Sequence, residues 1–184
     1  MGLFVSGYAL GLYVAAVAST NLSRLVAQSL GMVAYPNIAA RTDPAEARRA
    51  MWRFFMAGVF LCLVILALVE LTIGHLISLL FGASFSGAVR AAQILLIGAL
   101  FTSGRRILSD ASRGAGLPLP STAAEITSCV VLIPLLALLT PRFGIEGAAT
   151  AVTLTSLAGL LVLLVGVIRR PGSAIISSAA IKEI

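Results

Sequence analysis

Polar and apolar positions in this chain fall into long blocks. Five stretches of about 20 or more mostly apolar residues, the length that crosses roughly 30 Å of hydrocarbon as a helix, are separated by short runs rich in polar, glycine and proline residues. The pattern predicts spans over about residues 7–38, 54–81, 88–113, 122–140 and 148–168, with 171–184 as a tail. Local chemistry sets their ends. Tyr35-Pro36 closes the first span, and in the polar run after it Asp43 or Thr42 can cap a helix whose first turn holds Pro44 and Glu46. Gly114-Ala115-Gly116 before Pro118 and Pro120 cannot continue a helix. The fourth span carries Pro134, a kink candidate, and stops at Pro141-Arg142-Phe143-Gly144.

Composition narrows the class. The chain is 59% hydrophobic and 11% charged, with a mean hydropathy of +1.06, beyond what a soluble domain can cover with polar surface. The expected fold class is all-α: one polytopic transmembrane helical bundle over residues 1–170, with no room for a second globular domain.

The net charge of +6 has a topological reading. Arg41, Arg48, Arg49 and Arg53 follow the first span, Arg105, Arg106 and Arg113 lie near the end of the third, and Arg169, Arg170 and Lys182 follow the fifth, whereas only Arg90 and Arg142 sit at the other face. Basic residues in short loops stay on the cytoplasmic side. The expectation is therefore an inner (plasma) membrane protein with its N-terminus outside and a cytoplasmic tail, whose charge meets anionic lipid rather than nucleic acid. Met1 to Val5 lack the basic start and cleavage site of a signal peptide. An odd number of spans with an outside N-terminus predicts that the sequence is part of a longer or split protein.

Enzyme chemistry finds little footing. Cys62 and Cys129 lie in separate spans, outside any metal-ligand or disulfide pattern, and Gly114-Ala115-Gly116 lacks the residues of a phosphate loop. No catalytic residue, metal or cofactor is predicted.

Several segments resemble a known family. Gly11-Leu12-Tyr13-Val14-Ala15-Ala16 and Tyr35-Pro36-Asn37-Ile38-Ala39 look like the start and end of a helix in the C-terminal half of bacterial polysaccharide flippases. Leu80 to Ala88, with Phe81-Gly82 followed by Phe85 and Ala88, resembles their outer-loop motif, and Ala115-Gly116-Leu117-Pro118 and Pro141 to Ala149 resemble the next two connections. The order and spacing of these segments over residues 11–170 is similar to the O-antigen and exopolysaccharide branch of the multidrug/oligosaccharidyl-lipid/polysaccharide exporter superfamily. The resemblance implies the last five helices of the C-terminal lobe of a two-lobe exporter, which moves lipid-linked oligosaccharide by alternating access. The N-terminal lobe and the first helix of this lobe are missing from the match, so a partner chain is also implied.

Such a substrate requires a hydrated path and cationic groups for its diphosphate. Arg24 lies near the middle of the first span, where facing lipid would cost roughly 2.5–3.5 kcal/mol. Thr20, Arg24 and Gln28, at i, i+4 and i+8, share one helical face with Asn21 beside them; this stripe is the candidate cavity lining. Arg105-Arg106 on the third span form a second cationic group, and guanidinium forks match phosphate oxygens. The same arginines can instead snorkel to the surface, with Arg106 paired to Asp110 at i, i+4. Glu70 is the ion-coupling candidate; His75, the single histidine, reads as structural.

Three functions remain open on this reading: a transporter or transporter fragment for lipid-linked oligosaccharide, with a drug exporter as its narrower rival; a membrane-embedded glycan transferase, disfavoured by the short loops; and a non-transporting remnant or partner subunit.

Overall fold

A computed structural model describes residues 7–18, 20–81 and 89–169; the outer-loop motif and the tail fall largely or wholly outside them. The described residues are helical throughout their elements and contain no strand. In order these are α1 (Gly7–Ala18), α2 (Asn21–Ala39), α3 (Pro44–Phe81), α4 (Val89–Gly114) and α5 (Pro118–Ile168). Helices α3, α4 and α5 are long and apolar enough to cross a membrane.

The expected continuous first span is broken. Thr20 turns between α1 and α2, its Oγ1 donating to the Val17 carbonyl at 2.7 Å and its own N–H reaching the same carbonyl at 3.0 Å. A hydroxyl that serves the preceding turn competes with helix continuation.

Helix α3 begins ten residues before the expected span. Asp43 is the cap, with Oδ1 accepting the Ala45 N–H at 3.0 Å, and the charged run up to Arg53 is helical as well. At 38 residues the helix is about 57 Å long at 1.5 Å per residue, well over the roughly 30 Å of a hydrocarbon core.

The continuous helical run of α5 conceals two helices, as the sequence pattern anticipated, with the division inside the expected Pro141–Gly144 stop. Both Pro134 and Pro141 lie inside helix; the break is at Gly144 (φ 57°, ψ −130°), a conformation essentially reserved for glycine. The limbs then fold back on each other. Gly147 abuts the Leu139 carbonyl, Gly159 abuts Ser128, and Gly166 lies against Pro120, so residue numbers rise on one limb as they fall on the other. Each limb exceeds the roughly 20 residues a crossing needs.

The most polar of the three long helices is the most buried. Helix α4 packs against every other helix, and 56% of its most apolar window is buried, against 22% for α3 and 33% for α5. Apolar side chains face outward instead: Leu71 is 81% exposed and Ile133 71%. Lipid tails are as apolar as leucine, so helices here associate through close packing of small residues and interhelical hydrogen bonds. Gly98 lies against Thr153, whose Oγ1 donates to the Ile94 carbonyl at 2.9 Å, and Thr102 donates to Ser156 at 2.8 Å.

These contacts fix directions. Helix α2 and the second limb of α5 run parallel to α4, while α3 and the first limb run against it. The chain therefore snakes back and forth, placing Arg41, Arg49, Arg53, Arg113 and Arg169 at one end of the bundle and Arg90 and Arg142 at the other. That clustering agrees with the alternate-loop pattern in the sequence.

Candidate functional site

Beside Thr20 the bundle leaves a space between α1, α2 and α4. A cavity of about 380 Å³ lies there. Tyr13 and Val17 wall it from α1, and Thr20, Arg24 and Gln28 from the break and the first turns of α2. Opposite stand Thr102, Ser103, Arg105 and Arg106 of α4, with Gly98 and Ala99 leaving room between them. Five of the six residues proposed from sequence to contact substrate, separated by about eighty positions, thus line one space. The sixth, Asn21, is exposed at the start of α2 and does not line it.

The two arginines of α4 are not equivalent. Arg105 has 18% of its side chain exposed, and its Nη1 donates to Glu125 Oε2 at 3.2 Å and to Ser128 Oγ at 2.8 Å on the first limb of α5. Ser128 in turn donates to the Ala124 carbonyl at 2.8 Å. The guanidinium thus bridges α4 and the first limb of α5. Arg106 is exposed and forms no ion pair among the described residues. The pairing of Arg106 with Asp110 suggested by the i, i+4 spacing is not made; the Asp110 carboxylate lies against Gly31 of α2 instead. Close approach of α2 and α4, permitted by Gly31, outcompetes the local pair.

Arg24 and Gln28 are exposed on the same side. Three arginines therefore reach one cavity, with Glu125 as the acidic neighbour of Arg105 and with hydroxyls of Thr20, Thr102 and Ser103 around them. Such a wall can bind an anion: guanidinium forks supply paired donors, and the surrounding apolar helices lower the effective dielectric.

No protein-family model, curated protein or solved structure matches this chain.

Glu70 lies apart from this lining. It is half-buried on α3, with Oε2 buried and without a hydrogen-bond partner among the described residues. His75 is exposed further along the same helix. Glu125 is an isolated carboxylate in the fourth apolar stretch with no local pattern to give it a role, since its partner stands 20 residues earlier on another helix. Ser128, a hydroxyl among many in an apolar segment, carried no signal at all.

Proposed function

We propose that this chain is a membrane transporter, or part of one, that takes lipid-linked oligosaccharide by its diphosphate head group and carries it by alternating access. The observation that supports this reading is the convergence of Arg24, Arg105 and Arg106 on one cavity at a break in a membrane-length segment. Discontinuous helices in transporters commonly border substrate sites, because unwound backbone is tolerated where it lines a cavity. A volume of about 380 Å³ suits a diphosphate with its first sugar and excludes a whole oligosaccharide, which would extend out of the opening.

The exposure of Arg24, Gln28 and Arg106 also favours a second reading, in which another lobe or partner chain completes the cavity wall. Charged groups at membrane depth face water or protein rather than lipid. Glu70 remains the candidate for ion coupling in either case, since a buried carboxylate oxygen without a partner is costly and a bound cation or proton would offset that cost.

The test is binding and transport with the purified chain. In detergent, a short isoprenyl diphosphate should bind, and Arg24→Ala should weaken binding about tenfold, the loss of one charge-assisted contact of roughly 1.5–3 kcal/mol partly offset by the neighbouring arginines. In proteoliposomes, a fluorescent lipid-linked disaccharide should become accessible to an impermeant quencher. Binding without translocation would favour the partner-chain reading. Absence of diphosphate binding would remove the transport reading altogether.

A further inference from the structure

A second basic cavity lies at the end of the bundle, away from the one between α1, α2 and α4. Arg41, Arg49 and Arg53 line about 190 Å³ together with Glu46, Ala50 and Phe54. Arg41 is paired with Glu46 at 3.4 Å, in the open. Arg49 and Arg53, one turn apart on α3, are exposed and have no acidic partner among the described residues. Three guanidinium groups against one carboxylate leave two positive charges over a small concavity.

Its position says what it meets. Charged residues run up to Arg53, and none follows until Glu70, so the change at Arg53-Phe54 marks where α3 enters hydrocarbon. From the arginines, steps of three and four residues lead along the same face of α3 to Met56, Phe60, Leu63 and Leu71, all exposed. A cationic pocket thus opens at the base of an apolar stripe. Free phosphate would use the pocket and leave the stripe idle, whereas a phospholipid uses both, with its phosphate on Arg49 and Arg53 and its acyl chains along the stripe.

We propose that Arg41, Arg49 and Arg53 form a binding site for the phosphodiester head group of an anionic phospholipid, with the exposed face of α3 carrying its chains. Such a site exceeds the diffuse attraction that any basic loop has for an anionic leaflet, because two unpaired forks converge on one head group. It is independent of the transport reading.

Trp52, the single tryptophan of the chain, adjoins Arg53 and is half-buried, so its fluorescence reports on lipid at this position. The full chain is reconstituted in phosphatidylcholine vesicles with a minor fraction of brominated-chain phosphatidylglycerol or, separately, brominated-chain phosphatidylcholine. Brominated phosphatidylglycerol should quench Trp52 at about tenfold lower mole fraction, on the scale of two nearby arginines partly screened by salt. Arg49→Gln with Arg53→Gln should abolish that preference. Arg113→Gln with Arg169→Gln, which removes as much charge from the same end, should retain it. Should the first pair fail to insert, Arg53→Gln alone, at an exposed position, should still reduce the preference. Equal quenching by the two lipids in the wild-type chain, or equal loss in both double variants, overturns the proposal. Saturable binding of inorganic phosphate that Arg49→Gln with Arg53→Gln abolishes, together with no preference for phosphatidylglycerol over phosphatidylcholine, would likewise overturn it, by making the ligand free phosphate.

Discussion

Arg105 on α4 and Glu125 on α5 form an ion pair at 3.2 Å, with the arginine largely covered and 54% of the glutamate side chain exposed. The arginine thereby belongs to two places at once: it walls the cavity between α1, α2 and α4, and its charge is partly neutralised from behind. Removing the carboxylate leaves Ser128 as its remaining side-chain partner and strengthens the positive potential in the cavity.

Glu125→Gln is therefore expected to increase affinity for an isoprenyl diphosphate by about two- to fivefold, from the loss of a competing charge worth up to about 1 kcal/mol at a half-exposed site. Titration calorimetry in detergent checks this. A loss of affinity would mean that Glu125 positions Arg105 for the ligand rather than competing with it.

The stem of Arg105 packs against Gly159. A Cβ at that position would lie 3.1 Å from Arg105 Cδ and closer still to Ser128 Oγ. Gly159→Ala should destabilise the bundle by about 1–3 kcal/mol through overpacking and should also lower diphosphate affinity by displacing Arg105. Thermal unfolding followed by circular dichroism, with the same binding titration, reads both effects.

Gly144 offers the opposite case. A Cβ there meets nothing within 4 Å, so space is not the constraint, but its φ of 57° and ψ of −130° strain any L side chain. Gly144→Ala should cost about 1–3 kcal/mol from backbone strain alone, without changing cavity affinity among the molecules that fold. Comparable stability to wild type would show that the hairpin can turn elsewhere.

Thr153 joins the second limb of α5 to the Ile94 carbonyl of α4. Thr153→Val, close in shape but without the donor, should cost about 0.6 kcal/mol and at most about 1.7, the range for hydrogen bonds between helices in a membrane. Unfolding in mixed micelles provides the measurement, and an unchanged midpoint would mean that packing alone holds the two helices.

What the sequence determined by itself was set by short-range physics. The length of each apolar block, the Asp43 cap, the glycine-rich stop after α4 and the two-helix character of α5 depend on residues within a few positions of one another, and all were legible there. The stripe of Thr20, Arg24 and Gln28 was legible too, because helical periodicity alone puts those residues on one face. Tertiary structure decided the partners. Spacing favoured Arg106 with Asp110, but the glycine-permitted approach of α2 drew Asp110 to Gly31. Arg105 turned to a glutamate 20 residues away because the first limb of α5 lies antiparallel beside it. The facing of the arginine stripe by α4 depends on helices meeting in space, where small residues allow close approach and buried polar groups must find company, and no local pattern encodes which helix that will be.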